Sequence, residues 1–274
     1  MVKDKQFYRS LFIVALPAAF QGLISMGVNM LDNLMVGALG DVTLASVSLA
    51  NQATTLFTFL VNGIGGGAAV LISQYWGKKD YDRFRRIFGV ILRFAAIVSF
   101  IVCGLVFFFP RQTMRIFTND LGMIAEGAKY VRIVCLSYPL FAMANTMVVM
   151  LRWMEIVRIG LLISSISLVC NFCFNYLLIF GHLGFPALGA EGAAIATVIA
   201  RLFELCIAAY YLFFREQRVR FRLRNFLTWD REMTGDFFRH SLPIIAGDSQ
   251  WGLVGAAKAM LIGRLGVSMV SANS

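Results

Sequence analysis

The chain has 274 residues, of which 59% are hydrophobic and only 15% charged, with a mean hydropathy of +0.73. A soluble domain of this length needs a more polar surface than that, which sets soluble classes aside. The net charge of +10 would suit a nucleic-acid partner in a soluble protein. Here the cations sit in alternate loops between apolar runs, so no nucleic acid is expected.

Apolar runs of about 20 residues cross about 30 Å of hydrocarbon as helices. Seven runs, near residues 10–38, 48–75, 87–109, 131–153, 160–180, 187–214 and 237–263, predict an all-α polytopic membrane protein with the lipid bilayer as its partner. The first run is long and leads into Asp32 rather than a small-residue cleavage site, so it reads as a span and not a signal peptide. Between Arg9 and Asp41 that aspartate is the one ionisable side chain. A charge at mid-bilayer costs about 2.5–3.5 kcal/mol on insertion scales. Two readings follow: a carboxylate reaching the outer interface, or a cation or proton site facing a water-filled cavity. Asn29 and Asp32 share a helical face at i, i+3.

The second run carries "NGIGGGAAV". Gly63, Gly65 and Ala68 match a loose dinucleotide-binding pattern, which needs a preceding strand and a βαβ unit. Neither is predicted, so these glycines read as helix packing or a hinge. A P-loop is absent too.

The fifth run, "SSISLVCNFCFNYLLIF", places Asn171 and Asn175 at i, i+4, with Ser164, Ser167 and Cys170 nearby on the wheel. Amides on an apolar helix serve either as interhelical packing groups or as oxygen ligands for a hard cation such as Na⁺. In the sixth run Thr197 adds a hydroxyl, small residues allow close helix approach, and Arg201 and Glu204, three apart, read as a local ion pair. In the seventh, Asp248 is a candidate proton or substrate carboxylate. Cys103, Cys135, Cys170, Cys173 and Cys206 all fall in apolar runs and read as packing residues rather than a disulfide or metal set. Only His182 and His240 exist, in loops or at span ends, so a membrane-embedded enzyme lacks its catalytic cluster. No cofactor is expected.

The loops set orientation. Lys3, Lys5 and Arg9 precede the first run; Lys78, Lys79, Arg83, Arg85 and Arg86 follow the second; Arg152 and Arg158 flank the turn after the fourth. The connection after the sixth is rich in arginine, from Arg215 to Arg239. The intervening loops are poorer in cations, though the third-to-fourth connection has Arg111, Arg115 and Lys129, balanced in part by Asp120 and Glu126. This puts the N-terminus in the cytoplasm and the chain in the plasma (inner) membrane. Within that connection "RVRFRLR" alternates cation and apolar residue. It reads as an arm on anionic lipid or as a linker made basic by the positive-inside rule.

The chain also repeats itself. An offset of 226 residues lays Leu16-Pro17 on Leu242-Pro243, and Gly37, Leu39 and Gly40 on Gly263, Leu265 and Gly266, without a gap. Six spans separate the copies, so the repeat is parallel, about an axis along the membrane normal. The organisation expected is a six-helix lobe at 1–214, a basic cytoplasmic linker at 215–236, and the start of a second lobe at 237–274, whose remainder, the C-terminal lobe, is missing.

The combination of "ALPAAFQ…NMLDNLMVGALGDVTLASVSLANQ", "GIGGGAAVLISQYWGKKD", "SLVCNFCFNYLLIFGHLGFPALGAEGAAIATVIAR" and "SLPIIAGDSQWGL…LIGRLGVSMVSANS" resembles the multidrug and toxic compound extrusion (MATE) transporters along the whole chain. The resemblance implies a twelve-helix antiporter of two six-helix lobes, exporting amphipathic, often cationic compounds against inward Na⁺ or H⁺. It also implies an N-lobe cation site at Asp32, Asn171, Asn175 and Thr197. Some branches carry Asp where this chain has Asn175, so one carboxylate is lost here. At Met154-Glu155, many members have a small residue and glycine. The alternatives are a flippase for lipid-linked saccharides of the same superfamily, whose cavity would be strongly cationic, and a non-transporting fragment.

Overall fold

The structure, a computed structural model, describes residues 5–221, 230–264 and 269–271. Among them every regular element is helical. The long helices are α1 (Lys5–Gly37), α2 (Asp41–Gly77) and α3 (Tyr81–Phe108). The short α4 (Pro110–Phe117) is followed by α5 (Leu121–Val134), α6 (Ser137–Trp153) and α7 (Val157–Phe180). After a single 3₁₀ turn at His182–Gly184 come α8 (Ala190–Tyr210), which widens into a π-helical turn at Tyr211–Arg215, and α9 (Arg231–Arg264).

The starts of these helices are written in the sequence. Asp80, Asp120 and Asp230 each accept a hydrogen bond from the backbone N–H three residues on, at Arg83 (3.1 Å), Met123 (2.9 Å) and Met233 (3.2 Å). Each satisfies an orphan donor of a first turn and opens α3, α5 and α9 in turn. Gly181, at φ +74°, closes α7 in the left-handed conformation that glycine adopts at no steric cost.

Four helices, α2, α3, α7 and α8 with its π turn, are long and apolar enough to cross a bilayer. The pair α5 and α6, bent by 48°, makes a fifth if taken as one broken span. Helices α1 and α9 have the length of a span, at 33 and 34 residues. A helix therefore stands at each of the seven expected places, five of them combining length with apolarity.

The fourth place needs correcting. It is not one run over 131–153, because the helix starts at Leu121 and breaks at Cys135–Leu136. Pro139 has no N–H to give the Cys135 carbonyl, which accepts from Tyr138 instead at 3.0 Å, so the chain restarts there. The amphipathic α4 was also unforeseen. It buries Met114 and Phe117 and turns Arg111 and Arg115 outward.

The 226-residue offset has a structural counterpart. It carries Lys5 and Gly37 onto Arg231 and Gly263, and α9 runs from Arg231 to Arg264 with Pro243 inside it, as Pro17 is inside α1. The helical residues Met269–Ser271 fall where the offset places the start of α2. Leu265 and Gly266, half of the aligned turn, lie outside the described residues.

Helix α9 packs along α2 through glycines. A Cβ on Gly63 would stand 3.0 Å from the Ile245 Cα, and one on Gly67 only 2.6 Å from the Ser241 Cα. The two are four residues apart, a small-xxx-small face of the kind that lets membrane helices touch backbone to backbone. Further along, Gly252 meets Phe59, and the buried Thr118 hydroxyl donates to the Gly263 carbonyl at 3.0 Å. The "NGIGGGAAV" glycines are thus packing residues. A similar approach joins α7 to α8, where a Cβ on Gly192 would collide with the Leu178 carbonyl. Ala193, Ala194 and Ala196 are buried beside it.

Two other readings change. Of the five cysteines only Cys135 is buried; Cys173 and Cys206 are exposed, so the packing reading does not hold for them. The start of "RVRFRLR" is neither a free arm nor a bare linker: Val219 and Phe221 are buried, and Phe221 rests on Phe84 and Phe88, with ring centroids 6.3 and 4.8 Å apart. Arg218 and Arg220 point outward. The rest of that stretch lies outside the described residues, as do residues 222–229 of the expected linker, whose last six residues, 231–236, already belong to α9.

The α6–α7 turn holds Glu155 exposed at φ +62°. A side chain in that left-handed region costs about 1–2 kcal/mol relative to glycine. Glu155→Gly is therefore expected to stabilise the chain by about 1 kcal/mol, read as a higher thermal midpoint in detergent; an unchanged or lower midpoint would contradict it.

Candidate functional site

Between α1, α2, α5, α6, α7 and α8 lies a cavity of about 600 Å³ with largely polar walls. Helix α1 contributes Gln21, Ser25 and Asp32, which recur at helical spacing on one face. The apolar residues of α1, such as Phe12, Leu16, Leu23 and Met30, are exposed on its other side. The aspartate is thus on the helix's inward stripe, with the cavity in front of it.

Across from it stand the two α7 amides. The Asn175 amide nitrogen donates to Asp32 Oδ1 and also to Asn171 Oδ1, the latter at 3.2 Å. Asn175 is fully buried and Asn171 nearly so, at 0% and 3% exposure. Asn175 Oδ1 is buried with no hydrogen-bond partner. Leaving such an oxygen unsatisfied costs about 1–3 kcal/mol, an unusual feature in a packed interior. Thr197 Oγ1 donates to the Ala193 carbonyl at 3.0 Å, which keeps its own lone pairs free to accept. Asp32, Asn171 and Thr197 line the cavity, and Asn175 supports them from the α7 side. Carboxylate, amide and hydroxyl oxygens are what a hard cation or a proton takes.

Asp248 is not brought to this group. It lies half-buried in the α2–α9 seam, its Oδ2 3.6 Å from where a Cβ on Gly66 would stand, and it does not line the cavity. The offset that matches α1 to α9 places the exposed Lys258 opposite Asp32, so the repeat copies the helix and not its acid.

Several lining residues escaped the sequence reading. Helix α2 contributes a polar stripe at Asn51, Thr55, Thr58 and Asn62, a spacing of four, three and four that was there to be seen in "NQATTLFTFLVN". Asn51 Oδ1 accepts from Tyr130 Oη of α5 at 3.1 Å, and Asn62 Oδ1 accepts from Asn145 of α6 at 3.1 Å. Gln21 Nε2 donates to Ser164 Oγ at 3.1 Å, and its Oε1 accepts from Arg152 at 2.9 Å. The Arg201–Glu204 ion pair is present at 2.7 Å as expected, but both residues face the same cavity as Asp32.

A polytopic helical membrane protein enclosing a polar, carboxylate-bearing cavity is the class these features define. Residues 17–177 match the MatE family model, more than half of the chain, and the chain belongs to that family. It is 26% identical over 239 residues to a probable multidrug resistance protein, YoeA, of Bacillus subtilis (strain 168), covering 86% of this chain and 52% of the relative. It is 25% identical to the multidrug resistance protein NorM of Vibrio vulnificus (strain YJ016), covering 100% of this chain and 60% of the relative. The solved eukaryotic MATE transporter AtDTX14 superposes with a TM-score of 0.80 at 18% identity, over 93% of this chain and 56% of that one, and shares the fold. The chain spans about half the length of the curated relatives it matches. The family is one of transporters and not of enzymes.

Proposed function

We propose that this chain is the N-terminal lobe of a cation-coupled efflux transporter. The coupling ion, Na⁺ or H⁺, binds at Asp32 with oxygens of Asn171, Asn175 and Thr197, and amphipathic, mostly cationic compounds are the cargo. The observation that carries this reading is the Asp32 carboxylate held by Asn175 at a polar cavity wall, with the Asn175 oxygen buried and unpartnered beside it. An arriving cation satisfies that oxygen and neutralises the carboxylate. The gain differs between an ion-bound and an ion-free packing of α1, which is the condition for an ion to shift a conformational equilibrium. Names such as multidrug resistance protein among the relatives support the cargo class.

The basic alternate loops support an N-terminus in the cytoplasm and residence in the plasma (inner) membrane. The parallel repeat supports a second, C-terminal lobe as the partner against which this one rocks. Asp248, with no ion pair among the described residues, is the second candidate proton or substrate group, at the seam where the lobes meet. The flippase alternative gains nothing from the cavity, whose charged lining is one arginine against two carboxylates.

The test is extrusion of a fluorescent cationic dye by a full-length transporter carrying this lobe, in vesicles given a Na⁺ gradient or a proton gradient separately. Dye flux should follow one of the two; flux under neither would remove the coupled-efflux reading.

A further inference from the structure

Arg201 raises a question that the cation site alone does not answer. Its guanidinium is a cation with five donors. It lines the same cavity as Asp32. An arginine on the wall of the same cavity is a natural ligand for a carboxylate, and a bidentate pair between them would fill the place of a coupling ion. Yet its described bond goes elsewhere: Nη1 donates to Glu204 Oε2 at 2.7 Å. Its Cζ sits 4.8 Å from the centre of the Phe141 ring, within cation–π range. Glu204 is nearly buried, at 9% side-chain exposure against 31% for Arg201. The anchor is fixed in the wall while the arginine head faces the cavity.

We propose that Glu204 is a positioning residue: with the Phe141 ring it latches the Arg201 guanidinium on the α8–α6 side of the cavity and so keeps Asp32 open to a small cation. The role rests on the reading of Asp32 as the ion site. It differs from that of an ordinary i, i+3 helix pair, which would matter only to local stability. Release the latch, and the arginine swings to Asp32 and competes with the ion. Remove the arginine, and the cavity holds two uncompensated carboxylates instead of one. The other charged or titratable lining group, Tyr130 of α5, is engaged with Asn51.

The experiment uses the purified chain in lipid nanodiscs and measures Na⁺ binding and, separately, proton uptake. Glu204→Gln is expected to weaken binding of the ion about tenfold or more, the size of a strong site–site coupling. The neutral pair Arg201→Gln/Glu204→Gln should recover to within about threefold of wild type, since the competing charge is gone with its anchor. Arg201→Gln alone should tighten binding about tenfold, and it carries the test if Glu204→Gln does not fold. A Glu204→Gln chain that binds like wild type, or a double variant no better than the single, overturns the latch; so does an unchanged Arg201→Gln affinity. A thermal cycle needs no cation at all. With the latch released, Asp32 gains the arginine as a partner, so Asp32→Asn should lower the midpoint by about 3 °C more in the Glu204→Gln background than in wild type. Additive shifts would again overturn the latch. Wild-type ion binding by Asp32→Asn would instead sink the site reading, and the thermal cycle would still decide the latch.

Discussion

Gly67→Val is expected to cost the chain about 3 kcal/mol and to loosen α9 from the helices it packs against. The Cβ alone would stand 2.5 Å from the Ser241 Cβ and 2.6 Å from its Cα. The second of these is backbone, and no rotamer of Ser241 relieves it. One of the helices must move out. Because α9 leans on α2 through Gly63 and Gly252 as well, a shift at Gly67 opens the contacts above and below it. The Ser241 hydroxyl is already buried without a partner, so the seam holds by close packing there and has no hydrogen bond to fall back on. Limited proteolysis in the 222–229 connection, together with the thermal midpoint, reads the effect. Gly255→Ala is the control: it lies in α9 with nothing within 4 Å of a new Cβ, and it should be neutral or stabilising by up to about 1 kcal/mol through helix propensity. Equal losses in the two variants would show that the seam does not depend on backbone contact.

That seam also shows what a linear reading can reach. The glycines of α2 were visible, and so was the fact that a nucleotide loop lacked its strand. Their partner was not, because Gly63 and Ser241 are far apart in sequence and only the folded helices bring them together. The repeat left a mark that could be read in sequence, since a copied helix keeps the place of its proline, and Pro243 stands in α9 where the offset puts Pro17 of α1. The break between α5 and α6 was hidden for the opposite reason. Hydropathy stays high through "VRIVCLSYPLF", and only the missing N–H of Pro139 marks the bend. Charged or amide residues in apolar helices stand out against their surroundings, and so Asp32, Asn171 and Asn175 were found. The threonines and asparagines of α2 belong to the same cavity. The threonines were passed over because hydroxyls in a membrane helix are common and most bond the preceding turn, as Thr55 and Thr58 do here with Asn51 and Thr54. Asn51 and Asn62 carry the same amide signal as Asn171 and Asn175 and were legible by it.

Asp32→Asn is expected to reduce ion-driven dye efflux to background in a full-length transporter carrying this lobe, with expression and fold retained. The substitution keeps the size of the side chain and one oxygen, so the bond from the Asn175 amide nitrogen has an acceptor still. What disappears is the charge. Taking one partner from a buried charge pair costs about 3–5 kcal/mol. Even the low end is on the order of a hundredfold in cation affinity, since each 1.4 kcal/mol is tenfold. The ion-free chain should lose nothing, because it no longer holds a carboxylate away from bulk water; a midpoint equal to wild type, or raised by a stability gain of about 1 kcal/mol, is the expected companion result. That pairing of outcomes separates a functional acid from a structural one. If Asp32 served only as a hydrogen-bond acceptor for α7, the asparagine would substitute for it and efflux would persist. If it anchored α1 by its charge, the midpoint would fall along with efflux. Lost efflux with a preserved midpoint is what a binding site for the driving cation requires, and Asp32→Glu should restore part of the flux, because it returns the charge about one methylene out of place.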